Sequence, residues 1–165
     1  MADHVDHVLE QWARQRPDLD VSSMAVIGRL KRLSLLINTE LRRTFAAHDL
    51  DAASFDVLAT LRRSDAPHRL TPAELMRESM VTSGAITQRL DRLEGRGLVT
   101  RMPSASDGRS VVVSLTDEGR SLIDRVLPDH IATQSRLLAA VGPEGCDDLA
   151  GVLRDLLESL GDKRG

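Results

Sequence analysis

The fold is decided by residues 70–116, which read LTPAELMRESMVTSGAITQRLDRLEGRGLVTRMPSASDGRSVVVSLT. The segment opens with a strong helix-start signal. Thr71 can act as the N-cap, Pro72 suits the first helical position, and Glu74 can complete a capping box. We therefore expect a short helix that begins here and ends near Glu78, followed by a turn.

A second helix is predicted over residues 83–96, and Gly97 suits the left-handed residue that ends a helix. The hydrophobic periodicity then changes to that of β-strands over residues 98–102 and 111–115. Residues 103–110 form the predicted loop between these strands. The order is therefore helix, turn, helix and β-hairpin.

Helical patterns surround this segment on both sides. The further helices are predicted over about 5–15, 22–48 and 52–64, from Thr116 onward with Pro128 as a candidate kink, and from Pro143 to about 160. The predicted fold class is mainly α with a small β-hairpin wing (α+β), a winged helix-turn-helix. Because the helix over 22–48 is apolar on more than one face, we expect its burial in a dimer interface.

The predicted organisation has three parts. They are an N-terminal extension helix over residues 1–20, a helical dimerisation region over 21–50 and 117–162, and a winged helix-turn-helix DNA-binding domain over 51–116.

The positive charge is concentrated in one segment. The whole chain carries −3, but residues 62–109 hold nine arginines against six acidic residues. This segment coincides with the helix-turn-helix, so a basic face on an acidic body permits DNA binding.

Several function classes lack their sequence signals. We find no nucleophile elbow, no phosphate-binding glycine loop and no paired metal ligands, so we expect neither an enzyme, nor a cofactor, nor a metal site. The single cysteine, Cys146, excludes an internal disulfide. The acidic start and the absence of a long apolar run predict a soluble cytoplasmic protein without a membrane partner.

The second helix of the pair has the chemistry of a DNA-reading element. Its inner face would be Ile86, Leu90 and Leu93, which leaves polar side chains to enter the major groove. Gln88 can bond a base edge, and Arg92 can bond a guanine or a phosphate. The predicted DNA contacts are Thr71, Ser83, Ala85, Thr87, Gln88, Arg92 and, at the tip of the hairpin, Arg109.

These motifs resemble the multiple-antibiotic-resistance-regulator (MarR) family. The resemblance covers about residues 24–160, and its most specific part is the Asp107-Gly-Arg wing followed by Leu115-Thr-Asp-Glu-Gly119. It implies a homodimer on a pseudo-palindromic operator in double-stranded DNA. It also implies repression that a small ligand or an oxidant relieves.

A narrower resemblance concerns the urate-responsive branch of that family, which has an added N-terminal helix. It implies that Trp12, Asp56, Arg89 and Arg101 bind a small anionic ligand such as urate. Trp12 can stack on a flat ring, and two guanidinium groups can hold an anion with forked hydrogen bonds.

Three alternatives stay open. Trp12 would otherwise cover a hydrophobic cluster, and Asp56 and Arg89 would form a structural ion pair. Another planar or carboxylate anion is the rival ligand to urate. A regulator that acts through protein partners, or without a small ligand, is the rival function.

Overall fold

A computed structural model describes residues 2–79, 86–104 and 110–162. Within these residues the chain forms seven α-helices and a three-stranded antiparallel sheet, which confirms the predicted fold class. The elements are α1 (His4–Gln15), α2 (Ser22–Ala46), α3 (Ala52–Arg63), β1 (Arg69–Leu70), α4 (Pro72–Glu78), α5 (Ile86–Gly95), β2 (Val99–Pro103), β3 (Val111–Leu115), α6 (Asp117–Leu138) and α7 (Gly142–Ser159).

The chain divides into two compact units between Arg43 and Thr44. The first unit holds α1 and most of α2, and the second holds the remaining elements. No helix within the described ranges is both long enough and apolar enough to span a membrane. The same ranges contain no group of three or more metal-ligating side chains.

In the first unit, α1 is fastened to α2 by one apolar and one ionic contact. Val5 is buried, and a Cβ at Gly28 would lie 3.1 Å from its Cγ1, so the two helices approach closely here. Arg29 forms ion pairs with Asp3 at 2.8 Å and with Asp6 at 2.5 Å. Asp3 also caps α1, so one carboxylate starts the helix and binds its neighbour.

The core of the second unit is assembled around α3, which contributes Phe55, Val57, Leu58 and Leu61. The other elements add Leu75, Leu90, Leu93, Val99, Val113, Ile123 and Val126. The α4–α5 pair and the sheet are therefore mounted on one aliphatic core.

The sheet has the order β1-β3-β2. The predicted hairpin is confirmed, since β2 and β3 pair antiparallel with Arg101 opposite Val113. β1 was not predicted, because two residues are too short to show a strand periodicity. It pairs with β3 and joins the start of the helix-turn-helix to the wing.

In the central segment, the predicted capping residues form the start of α4 and follow the end of α5. Thr71 and Glu74 form the capping box of α4, with Pro72 at its first position. Gly97 has φ +69°, and the N–H of Leu98 donates to the carbonyl of Leu93, as in a Schellman motif. The predicted turn at 80–82 and the start of the second helix at 83–85 lie outside the described residues.

Candidate nucleic-acid interface and effector cavity

α5 is held by its apolar face and presents a polar one. Ile86, Leu90 and Leu93 are buried, as the spacing predicts, whereas Thr87 and Gln88 are exposed. The amphipathic spacing therefore determines which side of α5 can enter a DNA groove. The predicted contacts Ser83, Ala85 and Arg109 lie outside the described residues.

Thr71 uses its polar groups within α4. Its N–H and hydroxyl donate to Glu74 Oε2 at 2.7 and 2.9 Å, and the N–H of Glu74 donates back to the hydroxyl. The hydrogen bond from the Thr71 N–H, with help from its hydroxyl, holds the pKa of Glu74 below its ordinary value. Thr71 therefore sets the start of the first helix of the pair.

Arg101 lies on β2 and reaches the outer face of α5. Its Nη2 donates to Asp91 Oδ1 at 2.6 Å and to the Thr87 carbonyl at 3.3 Å. The backbone N–H of Arg101 donates to Glu94 Oε1. Asp91 and Glu94 are acids on the exposed side of the helix, where they would repel phosphates. Arg101 offsets their charge and ties the wing to α5.

On the other flank of α5, two arginines reach the start of α3. Arg92 Nη2 donates to Asp51 Oδ2 and, at 2.9 Å, to the Ser54 hydroxyl. Arg96 Nη1 donates to the Asp49 carbonyl at 2.8 Å. α5 is therefore bound on both flanks, by Arg101 from the sheet and by Arg92 and Arg96 to the segment at the start of α3.

Arg89 and Arg101 lie on different sides of α5. Arg89 is about 200° around the helix axis from Asp91, to which Arg101 is bonded. The backbone position of Arg89 therefore faces away from the side of α5 that Arg101 binds, although the sequence predicts that both arginines hold one ligand.

Asp56 lines an open cavity of about 480 Å³ on the second unit. The other lining residues are Phe55, Ala59, Arg62, Arg63, Asp124, Leu127 and His130. Arg62 pairs with Asp124 at 2.7 Å, and Arg63 donates to the carbonyl of Glu78 at the end of α4. The cavity thus combines two cations, two carboxylates and flat rings.

His130 forms part of the aromatic wall of this cavity. Its ring lies 4.6 Å from that of Phe55 and 5.5 Å from that of Phe45, centroid to centroid. Burial lowers its pKa below the ordinary value of 6.5. Its Nδ1 is buried and has no hydrogen-bond partner within residues 2–79, 86–104 and 110–162.

Trp12 belongs to the first unit, whereas Asp56, Arg89 and Arg101 belong to the second. Its side chain is 39% exposed on α1 and lines an open depression of about 440 Å³ with Gln11, Arg14 and Gln15. The indole ring is therefore accessible rather than sealed in the core of its unit.

Sequence reasoning missed four of the cavity residues, Arg62, Arg63, Asp124 and His130. The two arginines had a readable signal, because they follow Asp56 by about two turns on one helix. Asp124 and His130 come from α6, and only the packing of α6 on α3 brings them to this place.

Known proteins are similar to this chain in sequence and in fold. A family model described as MarR family matches residues 48–110. The chain is 43% identical over 149 residues to the HTH-type transcriptional regulator PecS of Dickeya dadantii, and the match covers 90% of each chain. It is 32% identical over 154 residues to the HTH-type transcriptional repressor YetL of Bacillus subtilis, covering 93% of this chain and 91% of the relative.

Among solved structures, it resembles that of Sco3205, a MarR family transcriptional regulator from Streptomyces coelicolor, in complex with DNA. The TM-score is 0.77 at 25% identity, and the match covers 87% of this chain and 90% of that one.

Proposed function

The chain belongs to the MarR family of DNA-binding transcription regulators, and we propose that it is a cytoplasmic repressor that binds a pseudo-palindromic operator as a homodimer and is released by a small planar anion such as urate. The observation that carries the proposal is a single helix, α3, which lines the cavity around Asp56 and also anchors α5.

The DNA-reading part of the proposal rests on the exposed face of α5. Gln88 has an amide that can bond an adenine edge in the major groove, and Thr87 can contact either a base or the thymine methyl group. Ser83, Ala85 and Arg109 complete the proposed set from the sequence, and Thr71 contributes by capping α4. The similarity to the repressor YetL supports repression.

The first experiment measures binding to a labelled duplex from the intergenic region upstream of the gene, by fluorescence anisotropy at several salt concentrations. We expect the logarithm of the affinity to fall linearly with that of the salt concentration, by about 0.9 per phosphate contact. Gln88→Ala should lower the preference for this duplex over a scrambled one by about 1–3 kcal/mol, with an unchanged salt slope. Binding that is absent or insensitive to salt would favour the protein-partner function.

The homodimer is proposed from apolar side chains that stay exposed in a single chain. On α2 these are Met24, Val26, Ile27, Leu33, Leu35 and Leu36, and on α7 they are Leu149, Val152, Leu156 and Leu157. A monomeric surface seldom leaves so many large apolar side chains open to water. Sedimentation equilibrium should give a dimer mass, and replacement of Leu35 and Leu36 by Ser should yield monomers.

The ligand part of the proposal rests on the chemistry of the cavity. Arg62 and Arg63 can donate to an anionic oxygen, Asp56 can accept from a ring N–H, and Phe55 and His130 offer flat surfaces. A planar anion that carries both oxygen acceptors and N–H donors uses all of these groups, and urate is such a molecule. From the family resemblance we also propose Trp12 and Arg89 as ligand-binding residues, with Arg89 responding to the charge of Asp56.

We also propose a route from the cavity to the helix-turn-helix. Arg63 is bonded to the carbonyl of Glu78, the last residue of α4. An anion that draws the guanidinium into the cavity removes this bond from the end of α4. A ligand that binds only this altered state shifts the protein away from its DNA-binding arrangement. Arg101, which holds the wing on α5, would then follow the movement of α5 rather than touch the ligand.

The second experiment measures urate binding by calorimetry and operator release by anisotropy. The wild type should bind urate and release the duplex. Arg63→Ala should imitate the ligand, with weaker operator binding and little further release. Arg43→Ala, which removes an exposed arginine paired with Glu40 on α2, is the matched control and should behave as the wild type. If the Arg63→Ala protein binds the operator with normal affinity and urate still releases it fully, the ligand site lies elsewhere. If the wild type does not bind urate at millimolar concentration, urate is excluded as the ligand.

A further inference from the structure

We propose that Arg92 and Arg96 form a clamp that fixes the rotation of α5 on α3, so that Arg92 is a positioning residue for DNA binding and not a contact to DNA. This changes the role that the sequence alone suggests for Arg92. The proposal depends on DNA binding alone, so it stands or falls separately from the ligand.

The bonds of Arg92 show what holds it. Asp51 is the N-cap of α3, and its Oδ1 accepts the N–H of Ser54 at 2.7 Å, while its Oδ2 accepts from Arg92. The same guanidinium donates to the hydroxyl of Ser54, whose residue is 1% exposed. Arg92 is therefore bonded to a group fixed in the core as well as to a surface carboxylate.

The electrostatics of Asp51 agree with this geometry. Partial burial alone would raise its pKa, but hydrogen bonds from Ser54 and the guanidinium of Arg92 hold the pKa below the ordinary value of 3.8. Asp51 therefore stays ionised at neutral pH and keeps its charge opposite Arg92.

Arg96, the first residue after α5, makes the second point of attachment one turn beyond Arg92. It bonds the carbonyl of Asp49, a residue with φ +55° in the tight turn that precedes α3. These attachments lie one helical turn apart, which prevents α5 from pivoting on α3, and together with the bond from Arg101 to Asp91 on the other flank they oppose rolling of α5 about its axis. Gln88 is one turn before Arg92 on the same flank, so the clamp sets the angle at which Gln88 meets a base.

The two roles of Arg92 predict opposite effects when its partner is removed. If Asp51 positions Arg92, loss of the carboxylate loosens α5 and weakens DNA binding. If Arg92 binds a phosphate, Asp51 competes with the DNA, and its loss leaves the affinity unchanged or raises it. A direct phosphate contact also contributes about 0.9 to the salt slope, whereas a positioning residue contributes nothing.

Asp51→Asn is the decisive variant because it preserves the cap. Asparagine caps helices about as well as aspartate, so its Oδ1 keeps the bond from Ser54. Its amide N–H₂ replaces Oδ2 and faces Arg92 donor to donor, which removes this half of the clamp. We expect about fivefold weaker binding to the upstream duplex, the size of effect that a charged hydrogen bond at a half-exposed site gives.

Arg92→Ala should weaken binding by about tenfold, since it removes the bonds to both Asp51 and Ser54. The double variant should bind no more weakly than Arg92→Ala, because the two residues act through one contact. Arg92→Lys, which keeps the charge and can reach Asp51, should recover part of the loss. Arg125→Ala on α6 removes one exposed positive charge elsewhere and is the matched control for net charge.

The readouts are the affinity for the upstream duplex, its salt slope, and the thermal midpoint of each protein. Weaker binding by both single variants, with unchanged salt slopes and no additivity, is the expected result. Unchanged or tighter binding by Asp51→Asn overturns the proposal, as does a salt slope that Arg92→Ala reduces by about 0.9. Additive losses in the double variant also overturn it. If Arg92→Ala does not fold, Asp51→Asn and Arg92→Lys decide the question by the same criteria.

Discussion

Gly119→Ala should destabilise the protein strongly, although it adds only one methyl group. Gly119 lies in the first turn of α6, and a Cβ there would stand 1.9 Å from the carbonyl oxygen of Leu98 and 2.9 Å from its carbon. Ordinary contacts begin at 3.4 Å. The obstacle is backbone, so no side-chain rotation can relieve the clash.

The magnitude follows from what holds that carbonyl in place. The N–H of Thr116 donates to the Leu98 oxygen at 3.2 Å, and the Thr116 hydroxyl donates to the Gly97 carbonyl at 2.7 Å. Relief of the clash would break both bonds between α6 and the base of the wing. Overpacking of a core costs about 1–3 kcal/mol, and we expect at least the upper end here.

Urea unfolding followed by circular dichroism measures this effect, at one fixed protein concentration because the proposed dimer would unfold in a concentration-dependent way. Gly95→Ala is the matched control, since a Cβ at Gly95 would meet no atom within 4 Å among the described residues. Its stability should differ from the wild type by less than about 0.5 kcal/mol. A Gly119→Ala protein as stable as the Gly95→Ala protein would refute the packing of α6 on the wing.

Three further predictions concern a histidine, the wing and a helix cap. Because burial lowers the pKa of His130, the folded protein binds fewer protons than the unfolded chain as the pH falls. The contribution of the neutral His130 to the free energy of unfolding is therefore fully present above about pH 6.5 and is lost below it. The urea midpoint should therefore drop between about pH 7.5 and 5.5, and less so in His130→Phe; equal drops would contradict this. Arg109→Ala should reduce the salt slope of operator binding by about 0.9 without changing the dimer mass, and an unchanged slope would exclude a phosphate contact there. Thr71→Ala should cost about 1 kcal/mol in urea unfolding while Thr71→Ser costs little, and equal losses would mean that the cap hydroxyl is not the cause.

The elements with local signals were predictable from the sequence. The capping box at Thr71 and the left-handed Gly97 set helix ends through bonds to near neighbours, and both are where the sequence predicts them. The buried face of α5 follows from spacing alone. β1 is different, because a two-residue strand exists only through its partner β3.

The side chains of the site depend more on tertiary packing. An arginine on the recognition helix is compatible with DNA contact by residue type, and only the fold shows that Arg92 is bonded to the cap of α3. Likewise, helical spacing alone separates Arg89 from Asp91 on α5. Only the fold shows that Arg101 on β2 binds Asp91. His130 joins the cavity across a sequence separation that no local pattern reveals.

A ligand in the cavity beside Asp56 is proposed to control operator binding. Ala59 lines this cavity, and Ala59→Met places a longer apolar side chain in it without changing charge. The direct measurement is urate-induced release of the upstream duplex, followed by anisotropy in the wild type and in Ala59→Met, each relative to its own ligand-free affinity. We expect urate to release the duplex from the wild type and the Ala59→Met protein to retain it. Equal release from both proteins would contradict it.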